Sequence, residues 1–361
     1  MRRSRVTILC ALCVLTGICG LVALYGGSVR MPVRAVVEML WAAGLAGLVA
    51  LYGAVRMPVP AAVEMLWSGS IRAMDQWPDS WQIILFQLRL PRVLLAGLTG
   101  ASLAAAGATY QGLFQNPMAD PFVLGVSAGA ALGAAITMVG GFSGVMVPLA
   151  AFVGALVAVA VVYTLARGEG GASVMTLLLA GVAMSALLSG LVSLIIFFSG
   201  EEMRAIVYWT MGGLGRSNWS QLRTVLPFQA LGLVPLIVYS RHLNAMLMGD
   251  ETALYLGVDV ERVRKYLLLG ASMLAAVAVS VGGIIGFVGL IVPHVVRLLA
   301  GPDHRFLMPA SILVGAPFLI LADLAARTVL SPAELPVGII TAILGGPFFL
   351  YLLVRHRKWK A

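Results

Sequence analysis

The feature that most constrains this chain is the recurrence of apolar, nearly charge-free runs long enough to cross a bilayer. They occupy residues 6–29, 93–112, 121–141, 146–166, 172–199, 224–240, 266–285, 286–300, 306–326 and 335–354. A helix needs about 20 apolar residues to traverse the hydrocarbon. Lipid offers no hydrogen bonds to an open backbone, so only helices or a closed barrel can span it. No segment alternates apolar and polar with a period of two, which excludes a barrel. The sequence therefore predicts an all-α polytopic membrane protein of about ten spans. The two runs that meet near residue 285 are together too short for two full crossings, so one is short or broken. Charged residues fill only 11% of the 361 positions, against roughly a quarter in soluble domains.

Orientation follows from Lys and Arg in short loops. For an even number of spans, MRRSR at the N-terminus, Arg167, the group Arg262, Arg264 and Lys265, the pair Arg297 and Arg305, and the tail RHRKWK fall on one side. That side is expected to be the cytoplasm, with both termini there. The opposite loops carry Arg89, Arg92, Arg204, Arg216, Arg223 and Arg327, so the bias is moderate. The net charge of +9 is read as this topology signal, because no basic cluster is interleaved with aromatic residues as nucleic-acid binding would require. The first 20 residues resemble a secretory signal but lack a small-residue cleavage site, so a retained first helix is expected. Cys10, Cys13 and Cys19 all lie in this apolar stretch, where a CxxC has neither the polarity nor the access for redox or metal work.

Four function classes suit such a chain: an intramembrane enzyme, an ion-coupled secondary transporter, a channel, and the permease half of an ATP-driven transporter. Ion coupling usually leaves carboxylates or histidines at membrane depth, yet the centres of these spans are almost bare. Asp323 and Arg327 are spaced to pair at i, i+4 near a helix end. The four histidines, at 242, 294, 304 and 356, show no ligand spacing, and no acid, base and nucleophile cluster together. No catalytic residue and no metal site is expected. The sequence has no G-x-x-x-x-G-K-[ST], and Lys265, Lys358 and Lys360 follow no glycine loop, so nucleotide could act only through another subunit.

The longest polar segment, RHLNAMLMGDETALYLGVDVERVRK (241–265), has helical spacing broken at Gly249 and Gly257, as two short helices would. A plain connector needs only a few residues. This one also carries apolar Met246, Leu247, Ala253, Leu254 and Leu256, enough surface to dock a partner. In QNPMADPFVLGVSAGAALG, Pro117 and Pro121 break the helix, and Gly125, Gly129 and Gly133 give the next one a small-residue face. In GFVGLIVPHVVRLL, Pro293 removes a backbone donor, while Gly282, Gly283, Gly286 and Gly289 permit close helix contact, and His294 and Arg297 reach water at the helix end.

These stretches, with RLPRVLLAGLTGASLAAAGATYQGLF, YWTMGGLG, ADLAAR and ELPVGIITAILGGPFFLYLL in the same order over about residues 70–355, resemble the FecCD-type permease family, the membrane subunits of ABC importers for iron-siderophores, haem and vitamin B12. The resemblance implies a type II importer permease fold of about ten helices. It also implies a homodimer, two cytoplasmic ATPase subunits that hold the ATP and Mg so that this chain binds no cofactor, and a substrate-binding protein that delivers cargo from the other side. It assigns ATPase coupling to Gly249, Asp250, Glu251, Ala253, Leu256 and Gly257. A cytoplasmic gate falls on Asn116 and Met118, with Ala172 and Ser173 beside them. Binding-protein docking falls on Arg89, Arg92 and Arg327, and a structural signature on Pro293, His294 and Arg297. A weakly charged pathway suits bulky cargo that must leave as readily as it enters. Siderophore, haem and cobalamin are all open, with ferric siderophore favoured only as the family's commonest cargo. An ion-coupled transporter or channel is the alternative.

GLVALYGGSVRMPVRAVVEMLW (20–41) is nearly repeated as GLVALYGAVRMPVPAAVEMLW (47–67), as a local tandem duplication would give. An extra crossing here would move Arg262, Arg264 and Lys265 outside, so one copy is expected to lie off the bilayer or along its outer surface. Residues 1–70 are thus read as a first helix plus the duplicated segment, and 71–361 as the permease core.

Overall fold

The computed structural model describes residues 83–168 and 171–357, together with residues 8, 9, 11, 12, 15, 16 and 19. Cys10 and Cys13, the duplicated segments and the tail beyond Arg357 lie outside the described residues. So does most of the first span. Its described residues are helical, and the Thr16 hydroxyl donates to Leu313 O at 2.9 Å, docking this span on the bundle.

A π-helical turn, Ile83–Arg89, leads into α1 (Leu90–Leu113). There follow α2 (Val126–Val139), α3 (Met146–Ala166), α4 (Val174–Phe198), the short α5 (Met203–Thr210) and α6 (Trp219–Val238). Two further short helices, α7 (Ser240–Met246) and α8 (Asp250–Tyr255), precede α9 (Val260–Gly282), α10 (Val288–Ala300), α11 (His304–Thr328) and α12 (Val337–Arg357). The fold is all-helical, and among the described residues the only strand pairing is a two-residue antiparallel ladder that joins Arg167–Gly168 to Gly171–Ala172. Six of the described helices are long and apolar enough to cross a membrane; the apolar stretches Val126–Val139 of α2, Val288–Leu299 of α10 and Val337–Leu352 of α12 are shorter.

The breaks have local causes. Asx and Ser caps start helices: Ser173 accepts from Thr176 N, Asn218 from Gln221 N, and Asp259 from Arg262 N. The expected span at 121–141 begins only at Val126, because Gly125 is left-handed (φ 82°) and the turns from Phe114 onward carry Pro117 and Pro121. Of the pair near residue 285, α9 is full length with 23 residues and α10 is the short one with 13. At 1.5 Å per residue, α10 is about 20 Å long, short of the ~30 Å hydrocarbon.

α1 is the axis of the bundle, with 20 of its 24 residues buried. Absent side chains let its neighbours close in. A Cβ on Gly100 would stand 2.2 Å from Gly315 O of α11, and one on Gly107 1.9 Å from Gly289 O of α10. Between α2 and α3 the expected small-residue face is used by Gly129 against Gly154 and by Gly133 against Ala150. Gly125 caps the helix instead, and Gly286 has nothing within 4 Å of a would-be Cβ, so it makes no close helix contact. At the other extreme lies α4, where only Leu177, Gly181 and Val192 are buried, which puts it at the periphery.

Candidate functional site

Following the helices end to end sorts the loops onto two faces. Gln115 Nε2, just beyond α1, donates to Met246 O of α7 at 3.0 Å, and the same end gathers Asp303, Ser173 and α8; we call it the loop face. Gly213 N donates to Gly282 O at 2.7 Å and Trp219 Nε1 to Phe86 O at 2.8 Å, which collects α5, the start of α6 and the end of α9 at the far face.

On the loop face the segment 241–265 folds as two short helices. The hinges at Gly249 (φ 108°) and Gly257 (φ 79°) have backbone angles that favour glycine. Asn244 holds α7 down. Its Nδ2 donates to Asp303 at 2.8 Å, and its Oδ1 accepts from His304 N at 2.9 Å. Arg305, with Asn244, holds the Asp303 carboxyl below the usual carboxylate range. Asp250 of α8 pairs with Arg264 of α9, and these two help line a cleft of about 320 Å³ with Gly112, Gln115, Val174 and Met246. Not all the apolar residues of this segment face outward. Met246 and Ala253 are buried, because the helical turn points them at the bundle, so they seat α7 and α8 and present no surface. The outward apolar surface consists of Leu247, Met248, Leu254, Leu256 and Tyr255, the last 92% exposed, flanked by exposed Asp250 and Glu251. Tyr255 was missed by the sequence reading, although its spacing from Ala253 places it on the opposite side of the turn.

Asn116 and Met118 lie exposed on the same face, where Asn116 Oδ1 accepts from Met118 N at 2.9 Å and locks the turn. Ala172 pairs with Arg167 in the small ladder, and Ser173 caps α4. The cleft brings the start of α4, at Val174, beside Phe114 and Gln115. Asp120, in the same turn region, is partly buried; burial pushes its carboxyl up to about 6 despite a hydrogen bond from Phe122 N.

The polar residues of α10 have a shared explanation. Pro293 offers no N–H to the carbonyl of Gly289, one turn back. Gln111 of α1 supplies the donor instead, reaching Gly289 O at 3.2 Å and Leu290 O at 3.3 Å. Its Oε1 accepts from Arg297 Nη2 at 2.9 Å. One buried amide thus satisfies the backbone that proline leaves open and holds the arginine, which is partly buried rather than free in water. His294 stands edge-on to Phe348 of α12, centroids 6.1 Å apart. Among the described residues no group of three or more His, Cys, Asp or Glu is placed to hold a metal.

At the far face the expected Asp323–Arg327 pair is present at 3.1 Å. A second arginine, not foreseen, joins it. Arg92 reaches Asp323 through Nε and Nη2 at 2.9–3.1 Å, and Glu334 through Nη1 at 2.9 Å. Arg89, Arg92 and Arg327 do gather at one end, as the docking assignment requires. Their side chains are sunk into the bundle, however, because Asp323, 1% exposed, draws Arg92 and Arg327 inward. Among the described residues the exposed cations of this face include Arg204, Arg216 and Arg223.

Among similar proteins, the cobalamin import system permease BtuC of Halobacterium salinarum is 50% identical over 288 residues, covering 79% of this chain and 76% of that protein. The hemin transport system permease HmuU of Yersinia pestis is 44% identical over 294 residues, 78% and 86% of the two chains. A solved structure described as an inward-facing conformation of a putative metal-chelate type ABC transporter aligns over 97% of this chain and 99% of its own with a TM-score of 0.78 at 32% identity. The sequence profile of the FecCD transport family matches residues 15–355, and the chain belongs to that family.

Proposed function

We propose that this chain is the membrane subunit of an ATP-driven importer that carries a metal chelate toward the loop face, which is the cytoplasmic side. The observation that carries this reading is the α8 platform, where Leu254, Tyr255 and Leu256 project from the segment between two glycine hinges and Met248 is exposed just before the first, flanked by Asp250 and Glu251. An exposed apolar patch rimmed by charge is the usual mark of a protein interface. An ATPase subunit is the occupant this reading assigns to it, and a homodimer with two ATPases is the assembly. The Asn116–Met118 turn and the Ala172–Ser173 segment stand near the loop face, where they would narrow the pathway. At the far face a substrate-binding protein docks over Arg89, Arg92 and Arg327. Cobalamin, haem and iron chelates are the cargoes named for relatives, and a large metal chelate is the class assigned here.

The test is reconstitution in liposomes with the partner ATPase enclosed and the binding protein outside, followed by uptake of cobalamin, haemin or a ferric siderophore. Uptake that requires ATP hydrolysis is expected. Uptake driven by an ion gradient without the ATPase would establish the secondary-transporter reading in its place.

A further inference from the structure

The Arg92 guanidinium is held on two edges by two carboxylates of opposite character. Its Nε and Nη2 edge is engaged by Asp323, whose side chain is 1% exposed, while its Nη1 is engaged by Glu334, whose side chain is 52% exposed. The inner carboxylate takes three contacts from Arg92 and a fourth from Arg327 on Oδ2, and breaking this cluster would strand buried charge. The outer contact is a single bond from a solvent-facing side chain, of the kind that contributes little and exchanges readily. Glu334 lies in the loop between α11 and α12, whose backbone is fixed next door by Leu335 N donating to Ala326 O at 3.0 Å. The side chain can therefore leave without unravelling the loop. Beside it is Gly215, where a Cβ would stand 3.7 Å from Glu334 Oε2, so this neighbour places no side chain over the carboxylate. Exposed Arg216 follows immediately and makes the rim attractive to an acidic group.

From this geometry we propose that Glu334 is an in-chain stand-in for a docking carboxylate: it occupies the outward N–H of Arg92 until an acidic side chain of the substrate-binding protein displaces it, while Asp323 keeps the guanidinium in place. The inference rests on the docking role assigned to Arg92 above. Its chemistry is an exchange of one carboxylate for another on the same donor. The guanidinium is never left bare, and binding is weakened by the competitor it must remove. Asp323 is then a positioning residue and Glu334 a modulator of affinity.

The test measures association of the binding protein encoded with this chain to the permease–ATPase complex in nanodiscs, by biolayer interferometry. Glu334→Gln should tighten binding about two- to five-fold, the range of one exposed ion pair. Glu334→Asp keeps the charge but falls short of Nη1, and it should tighten binding similarly. Unchanged affinity in Glu334→Gln would overturn the proposal. So would a gain confined to Glu334→Gln with Glu334→Asp at the wild-type value, since that pattern reports general repulsion and not a specific contact. Arg92→Lys separates the two levels of the argument. It should weaken binding and abolish the gain from Glu334→Gln, whereas wild-type binding in Arg92→Lys would refute the docking reading itself. Should Arg92→Lys fail to assemble, the two Glu334 variants, which alter only an exposed side chain, still decide the proposal.

Discussion

Replacing Gln111 by leucine tests the account of why proline and arginine are tolerated inside α10. The change removes the donor that reaches Gly289 O and Leu290 O at 3.2 and 3.3 Å, and the acceptor for Arg297 at 2.9 Å. A buried carbonyl stripped of its partner costs about 1–3 kcal/mol. The two bonds are at the long end of the N–H···O range, so about 1 kcal/mol is the better figure for that part. Arg297 loses a charged hydrogen bond, about 1.5 kcal/mol more because it is only partly buried. The expected loss for Gln111→Leu is therefore about 2–3 kcal/mol. The distinctive outcome is a rescue. Pro293→Ala restores an N–H one turn from Gly289 O, so in the Gln111→Leu background it should recover about 1 kcal/mol more than it adds to the wild type, a coupling typical of residues sharing one acceptor. Reversible unfolding in mixed micelles with rising SDS, followed by circular dichroism, measures all four proteins. Wild-type stability in Gln111→Leu, or the same increment from Pro293→Ala in both backgrounds, would refute the reasoning.

Gly107→Ala would put a Cβ 1.9 Å from backbone, about 1.5 Å inside the 3.4 Å of ordinary contact, so it should destabilise α1 against α10. A loss of about 2–3 kcal/mol is expected in the same SDS titration, whereas Gly190→Ala, with nothing within 4 Å, should lose none. Asp323→Asn leaves Arg92 and Arg327 without their buried anion. It should cost about 3 kcal/mol of stability, read in the same way. Tyr255→Ala, at the most exposed aromatic of α8, should weaken ATPase association at least about 10-fold in a pull-down or interferometry assay, as loss of an interface anchor does. Asp120, its carboxyl raised to about 6 from an ordinary 3.8, contributes stability below about pH 4 that fades as pH rises through 6. Asp120→Asn should therefore be more stable than the wild type at pH 7.5 by about 1–3 kcal/mol, and match it near pH 4, in the same SDS titration.

The elements of this protein were legible in the sequence because in lipid a backbone must satisfy itself within its own segment. Apolar runs therefore read directly as α3, α4, α6 and α9. Pro117, Pro121 and Gly125 mark where α2 must wait, and Gly249 and Gly257 divide the loop into α7 and α8. The i, i+4 spacing of Asp323 and Arg327 announced their pair for the same local reason. Partners across the bundle were not legible. Arg92 and Asp323 are 231 positions apart, Gln111 and Arg297 are 186, and nothing near either member names the other. The family resemblance offered three far-face arginines as a docking surface, yet only the tertiary fold decided that two are drawn onto one buried carboxylate and that the outward contact passes to Glu334. Likewise composition marked Met246 and Ala253 as apolar surface, and helix packing turned them inward while leaving Tyr255 outside. Apolar solvent fixes that each segment is a helix; which of its faces meets which neighbour depends on close backbone approach, as at Gly107 with Gly289, and on polar groups that must find a partner wherever the fold brings one within reach.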